Sequence, residues 1–231
     1  MKTLVRALLI ATLLLPGLVF LGNTGDLTYY VRHPVPPGQI PYVLARLLAL
    51  YALTLIWIQI LLGALRPELE RALGARHLVH LHTALGATTL VLLLGHASLF
   101  IAGVTIRSGA FPVAYLVPDF SQNYYARRLA LGATALYLAL LAGLSAALRR
   151  RTWMRGIWRR LHALNYLVFA LGAWHGLAIG SETRLQPLPI LCGFFAGTIA
   201  VAALWRVIAA RRLRGWEADR DGVIHSGRRS R

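Results

Sequence analysis

Charged residues are scarce in this chain. They make up 14% of its 231 residues, whereas a soluble domain usually carries about 25%. Hydrophobic residues reach 57%, and this balance predicts an integral membrane protein. Only 8 residues are acidic, and all of them lie between or after the apolar segments. This placement disfavours a proton-coupled transporter, because such proteins bury carboxylates within the membrane.

Cysteine is almost absent. The single residue of this type, Cys192, lies in an apolar run, so the sequence offers neither a disulfide framework nor a thiolate metal site. We interpret Cys192 as a small buried apolar side chain. The sequence also shows no Gly-rich phosphate loop and no Ser-His-Asp set.

Long apolar segments dominate instead. A helix needs about 20 apolar residues to cross a bilayer. The first segment follows Lys2 and Arg6, and no small-x-small cleavage site follows Leu21, so we expect an uncleaved helix rather than a signal peptide. We therefore predict an all-α integral membrane protein, a bundle of six transmembrane helices. The six segments are residues 4–21, 41–64, 78–104, 128–148, 161–179 and 188–209.

These segments divide the chain into three parts. Residues 1–40 hold the first transmembrane helix and an external loop, and residues 41–209 form the main membrane domain. Residues 210–231 are a polar, basic tail, which we expect to be disordered. Within the membrane domain, residues 66–76 are predicted to form a mixed-charge loop and residues 149–160 a basic hairpin.

The basic residues predict the orientation. The two termini, the 66–76 loop and the 149–160 hairpin together hold 19 of the 25 lysines and arginines. Because positive charge collects on the cytoplasmic side, we expect a multi-pass protein of the plasma (inner) membrane with both termini in the cytoplasm. The net charge of +17 therefore indicates contact with membrane lipid and not nucleic-acid binding.

Four histidines lie within two of these segments. The third segment contains His82 and His96, and the fifth contains His162 and His175. Ionisable residues within a membrane segment are functional candidates. Four imidazoles supply the axial ligands of two bis-histidine haems, one near each membrane face. A zinc site needs three or four ligands close together, and these histidines are too far apart along each helix.

The spacing predicts how the histidines pair. Both helices run outward, so His82 is expected to face His162 near the inner surface, and His96 to face His175 near the outer surface. The separations correspond to about 21 Å and about 19.5 Å along the helices. Fourteen residues return to within about 40° of one helix face, whereas thirteen miss by about 140°. The second helix therefore needs a local distortion near Gly172, helix tilt or different approach angles of the ligands.

Several basic residues are candidates for contacts with the haem propionates. Arg46 lies one turn inside the second segment, where it either extends to the membrane surface or faces a propionate. Arg159 and Arg160 are candidates for the inner site, and His77 and His80 are expected near the same surface. His80 faces away from His96 on the helix, which leaves His82 as the better ligand.

Glycines occur in both histidine segments. They either give room for a flat macrocycle or allow ordinary close packing of membrane helices. The glycines concerned are Gly86, Gly95, Gly172 and Gly176.

The histidine pattern and its flanks resemble a known family. The motifs are His-x13-His and, two segments later, His-x12-His, with Arg66-Pro-Glu-Leu-Glu-Arg-Ala-Leu-Gly74, Trp158-Arg-Arg-Leu-His162 and Asn165-Tyr-Leu-Val168 around them. Over about residues 40 to 205 the chain is similar to the ferric reductase-like transmembrane domain superfamily. That superfamily includes NADPH oxidases, ferric reductases and MsrQ, the haem subunit of a methionine sulfoxide reductase.

The resemblance implies a six-helix bundle holding two stacked b-type haems, with His82, His162, His96 and His175 as axial ligands. It also implies transport of single electrons from the cytoplasmic side to an acceptor outside. No Rossmann fingerprint follows the last segment. We therefore expect an oxidoreductase component with no flavin or NADPH site of its own.

The electron donor and acceptor stay open at this point. The donor is expected to be a separate flavin reductase or a quinol, and the acceptor ferric iron, oxygen or a periplasmic reductase subunit. One alternative is an MsrQ-type haem subunit that serves a periplasmic methionine sulfoxide reductase. The others are a haem-free transporter or channel and a purely structural membrane subunit.

Overall fold

Helices account for the regular structure of residues 2–181 and 187–228, the part of the chain that the computed structural model describes, and no strand occurs among them. The predicted all-α class is confirmed. The sequence predicts a short turn at residues 181–187, of which residues 182–186 lie outside the described part, as do the first residue and the last three. The helices are α1 (Lys2–Thr24), α2 (Tyr29–Arg32), α3 (Gln39–Ala64), α4 (Arg66–Leu73), α5 (Ala75–Ser108), α6 (Tyr124–Ala147), α7 (Trp158–His162), α8 (Asn165–Ile179) and α9 (Pro187–Arg228), with 3₁₀ turns at Val113–Tyr115 and Thr152–Met154.

Four of these helices are long and apolar enough to span a membrane. They are α3, α5, α6 and the Pro187–Ala209 part of α9, and they support a multi-pass membrane protein. Helix α8 has 15 residues and covers only about 22 Å, less than the roughly 30 Å of a bilayer core. In α1 the apolar stretch with described side chains is the shorter Ile10–Thr24. The count of six spans therefore stays a prediction.

Helix α3 lies at the centre of the bundle. It packs against α1, α5, α8 and α9, and 56% of its most apolar stretch is buried, compared with 11% for α5. A helix that is apolar on all sides belongs in the interior, and α3 fits that description, with Leu50, Leu55 and Trp57 among its buried side chains. The histidine-bearing helix α5 instead turns much of its surface outward.

Helix α9 is fixed to this centre at two levels. The Trp57 ring stacks on Phe195 with centroids 4.3 Å apart, and its Nε1 donates to Thr198 Oγ1 at 2.8 Å. Farther along α9, Trp205 Nε1 donates to Glu68 Oε1 at 2.9 Å. That hydrogen bond favours the ionised carboxylate, and it holds the pKa of Glu68 below its ordinary value.

Helices α3 and α5 meet backbone to backbone near one end. Gly38 has φ 77°, and a Cβ on it would lie 2.0 Å from the carbonyl oxygen of Gly103. A Cβ on Gly103 would lie 2.9 Å from the carbonyl oxygen of Gly38. The missing side chains therefore let the two backbones touch, as small residues do at contacts between membrane helices.

Residues 66–76 are helical for most of their length, so the prediction of a loop is wrong there. Pro67 stands in the first turn of α4, where its missing amide costs no hydrogen bond. Arg66 Nε donates to Glu70 Oε1 at 2.6 Å, four residues along the same helix. Gly74, with φ 84°, then ends the helix. These local contacts outweigh the polar composition that favoured a loop.

The long helix α9 continues to Arg228, through the stretch that its composition predicts to be disordered. Alanine, arginine, leucine and glutamate are frequent in the first part of this stretch. All four residue types have high helix propensity, so an apolar membrane helix that reaches Ala209 can propagate into them without a new nucleation step.

We predict that Gly103→Ala destabilises the bundle, because the added methyl meets a backbone oxygen that cannot move away. We expect a cost of about 1–3 kcal/mol from overpacking, seen as a lower thermal midpoint in detergent micelles. Gly63→Ala is the matched control, since a Cβ there has no neighbour within 4 Å and alanine favours a helix. Equal midpoints for the two variants would contradict the backbone contact.

Candidate functional site

The structure brings His96 and His175 together. Their ring centroids are 6.4 Å apart and the rings are inclined by 72°. His96 Nδ1 lies 2.9 Å from the carbonyl oxygen of Ala45 on α3, and His175 Nδ1 lies 2.8 Å from that of Arg128 on α6. A carbonyl can only accept, so both Nδ1 atoms carry the proton. The Nε2 atoms keep their lone pairs, which is the form that binds a metal.

His82 and His162 form a second pair. Their ring centroids are 5.8 Å apart, with the rings inclined by 68°. The carbonyl oxygen of His82 accepts a hydrogen bond from Gln59 Nε2 at 2.8 Å, and that of His162 accepts one from Asn165 Nδ2, also at 2.8 Å. Here hydrogen bonds fix the backbone of both histidines. The pairing is the one that the spacing predicts.

A break between the two histidine-bearing helices α7 and α8 turns His162 part of the way toward the side of His175. Helix α7 ends at His162, and α8 begins at Asn165. Between them the amide of Leu164 donates to the carbonyl oxygen of Leu161 at 3.1 Å, and the amide of Tyr166 donates to that of Ala163 at 3.2 Å. Both bonds span three residues, as in a 3₁₀ helix. A 3₁₀ turn advances about 120° per residue instead of about 100°, so it rotates His162 toward the side of His175.

The distortion lies at residues 163–164. It does not lie near Gly172, the position considered in one of the three alternatives, because Gly172 is inside the continuous helix α8. No residue in the break is a proline or a glycine. The sequence therefore contains no helix-breaking residue that could have located the distortion.

Three contacts between α3 and α5 around the histidines share one register. From one contact to the next, the position on α3 increases by seven or fourteen residues and the position on α5 decreases by the same number. A seven-residue repeat keeps two helices in contact along one seam. The contacts pair Gly38 with Gly103, Ala45 with His96, and Gln59 with His82.

A cavity of about 210 Å³ opens between the helices at the His96–His175 pair. Both rings line it, and apolar residues of α3, α5, α6 and α8 form most of its wall. Among the described residues, α5 and α8 make few direct contacts with each other, which leaves a gap between the two histidine helices. The polar side chains that line the cavity are Tyr42, Arg46, Tyr115, Tyr125, Tyr137 and Ser181.

Gly132 on α6 accommodates the ring of His175. A Cβ at this position would lie 2.8 Å from Nδ1 and 3.1 Å from Nε2 of that ring. Gly132 is one turn after Arg128, whose carbonyl accepts the Nδ1 proton. One turn of α6 therefore both binds the imidazole and leaves space for it.

The predicted glycines divide into two groups. A Cβ on Gly95 would lie 2.8 Å from Leu48, and one on Gly86 would lie 3.6 Å from Gln59, so these two glycines serve the packing of α5 on α3. Gly172 and Gly176 line the cavity instead.

The basic residues that are predicted to contact haem propionates lie in two different places. Arg46 lines the cavity, donates to Thr24 Oγ1 at 3.3 Å and lies over the Phe20 ring at 5.8 Å. Arg159 and Arg160 are exposed near His162 and do not line this cavity. The histidines at positions 77 and 80 are exposed as well.

Two backbone carbonyls and one glycine contribute to the site without having been predicted from the sequence. The carbonyls of Ala45 and Arg128 have no sequence signal, because every residue has a carbonyl. Gly132 had a weak one, an isolated glycine within an apolar helix, which often marks a packing or functional constraint. Arg128 also places its guanidinium over Tyr124 and Trp174, at 4.7 and 5.0 Å from the ring centroids.

Within the described residues, no three side chains of His, Cys, Asp or Glu come together. The histidines thus form pairs, which suit a cofactor that brings its own equatorial ligands better than a zinc ion. No family model, curated protein or solved structure matches this chain.

We predict that the imidazoles of His96 and His175 carry their proton on Nδ1 in protein prepared without metal. The reason is the pair of carbonyl acceptors at 2.9 and 2.8 Å. Nitrogen chemical shifts of histidine-labelled protein would show this, with exposed His77 and His80 as internal controls that mix both tautomers. A protonated Nε2 on either buried ring would contradict the assignment.

Proposed function

We propose that this chain binds b-type haem between its histidine pairs and carries single electrons across the membrane. His82 with His162, and His96 with His175, would be the axial ligands of two haems. The arginine distribution supports a plasma-membrane protein with both termini in the cytoplasm, and the electrons would pass to an outer acceptor. When bound, haem iron supplies the one-electron redox chemistry, and the protein tunes its potential.

The meeting of four histidines as two pairs across the helices carries this proposal, and the ring separations are compatible with it. An imidazole nitrogen binds a metal at about 2.0–2.1 Å, and its ring centre lies about 1.1 Å farther away, so two rings on one iron have centres about 6.3 Å apart. The observed separations are 5.8 and 6.4 Å. Ordinary ring contacts elsewhere in the chain have similar separations, such as 6.1 Å for Phe100–Tyr115, so these distances are compatible with a shared iron but do not require one.

The surroundings of the pairs fit a flat, apolar group. Helices α5 and α8 are held apart by α3 and α6, and the cavity between them is lined mainly by apolar side chains. Such walls keep water away from a bound macrocycle, which affects its potential. Arg46 and the tyrosines at the cavity would face the propionates, because these are the charged edge of haem b.

The residues around each ligand have defined tasks. The carbonyls of Ala45 and Arg128 accept the Nδ1 protons, and such a hydrogen bond orients a ligating imidazole and raises its basicity. Gln59 and Asn165 fix the backbone of the other two histidines. Along α5, the fourteen residues from His82 to His96 separate the two sites by about 21 Å, so an electron would cross the membrane in two steps.

A one-haem protein of the MsrQ type is the second candidate. One observation favours it: the cavity is lined by His96 and His175, whereas His82 and His162 are not among its lining residues. In such a protein the outer pair would hold the haem, and the chain would serve a periplasmic reductase.

We predict two low-spin b haems per chain in a reduced-minus-oxidised spectrum of protein from haem-supplied cells. His82→Ala or His175→Ala should each lower the haem content from about two to about one per chain, since a haem retained by one axial imidazole is weakly held. His80→Ala is the control on the same helix and should keep both. The steep inclinations of 68° and 72° predict highly anisotropic low-spin ferric EPR signals.

The haem count separates the alternatives. One haem, lost in the His96 and His175 variants alone, would establish the MsrQ-type candidate. No haem in any preparation would leave a transporter or a structural subunit as the better account.

We predict that Gly132→Ala alters the outer site, because the methyl would displace the His175 ring. The expected result is a shifted potential for one haem, or a fall of that haem to about half occupancy, with the other haem unchanged. Redox titration with EPR would measure both. Gly143→Ala on the same helix is the control, since its methyl meets only the flexible Leu90 side chain, at 2.6 Å. Equal effects of the two variants would mean that Gly132 has no special relation to His175.

A further inference from the structure

A basic surface lies beside the His82–His162 pair. Residues 149–160, here called the basic hairpin, connect α6 to α7 and contain six arginines in twelve positions. All six side chains are exposed. They are Arg149, Arg150, Arg151, Arg155, Arg159 and Arg160.

No ion pair of a basic-hairpin arginine occurs among the residues whose side chains are described. The carboxylates described at this end are Glu68 and Glu70, and their hydrogen bonds go to Trp205 and Arg66. The neighbouring helix α4 balances two arginines with two glutamates. The six arginines of the basic hairpin therefore form one block of positive charge that leads into His162, and a second block of eight arginines runs from Arg206 onward.

Apolar side chains interrupt this charge. Trp153 is 64% exposed and Ile157 is 44% exposed, and both stand between arginines. Tryptophan and arginine are the residue types enriched in protein interfaces and in their energetic hot spots. The general preference of cytoplasmic loops for positive charge explains the arginines, but not the two exposed apolar side chains between them.

The basic hairpin is also close to the site. The Trp158 ring lies 6.1 Å from the His162 ring, and Arg159 and Arg160 precede this histidine by three and two residues. A protein bound to the hairpin would therefore lie within a short distance of the inner pair.

We propose that the basic hairpin is the docking surface for an acidic, soluble one-electron carrier that reduces the His82–His162 site. This inference rests on the proposed function. One electron leaves the reduced carrier and one arrives at the ferric site, which becomes ferrous. No bond forms or breaks in the chain. Opposite charges would speed the encounter and set its orientation, and Trp153 would provide the apolar contact.

The test measures binding of two oxidised probe carriers, flavodoxin and a plant-type ferredoxin, both acidic. The protein is reconstituted in nanodiscs of neutral lipid at about 20 mM salt, where surface charges are weakly screened. The hairpin variant is Arg151→Gln with Arg155→Gln. The matched control is Arg32→Gln with Arg127→Gln, which removes the same charge from exposed positions outside the hairpin.

We expect at least one carrier to bind, with about 5- to 10-fold weaker affinity for the hairpin variant, as two exposed ion pairs would give. The control should stay within about twofold of the unmodified protein, and about 300 mM salt should remove the difference. Absence of binding by both carriers would overturn the proposal. Equal weakening by the two variants would also overturn it, because net charge alone would then explain the binding. Binding that requires anionic lipid would assign the hairpin to the membrane surface instead.

The haem spectrum of the same preparation separates the two proposals. A preparation with full haem that binds neither carrier contradicts the docking surface alone. A haem-free preparation that binds carriers at the hairpin contradicts the electron-transfer function and leaves a protein-binding surface.

Discussion

Each imidazole of the His96–His175 pair gives its Nδ1 proton to a backbone carbonyl of a neighbouring helix. This hydrogen bond satisfies a polar ring inside an apolar bundle. A polar group left without a partner in hydrocarbon would cost roughly several kcal/mol. It also decides which nitrogen is left for a ligand. Much of the bundle can be understood as a means of bringing those two carbonyls, from α3 and α6, to opposite sides of one cavity.

Helix α3 contacts both histidine pairs, the cavity and α9. It supplies the Ala45 carbonyl and the Gln59 amide, it carries Arg46 to the cavity, and it anchors α9 through Trp57. Its burial follows from these tasks, since a helix with neighbours on several sides has little surface left for lipid. The outward-facing α5 can hold two functional histidines because its inner seam is fixed by α3.

The sequence predicts the histidines, their pairing and most helix positions, because long apolar runs and intramembrane imidazoles are strong local signals. It does not predict the 3₁₀ turn at residues 163–164, where neither glycine nor proline marks the break. It also misses the carbonyls of Ala45 and Arg128, since backbone groups leave no trace in residue identity. The helix α4 was missed for another reason: its stability comes from the Arg66–Glu70 bond and its ends, which outweigh a polar composition.

The seven-residue register between α3 and α5 means that the two histidines of α5 cannot be adjusted separately. Inserting one residue in α3 between Ala45 and Gln59 would turn one partner by about 100° relative to the other and would need a compensating change in α5. The separation of the two sites can therefore change only if α3 and α5 change together. Variation among related chains should accumulate on the α6–α8 side, where each site meets its own residues, Gly132 at one level and Asn165 at the other.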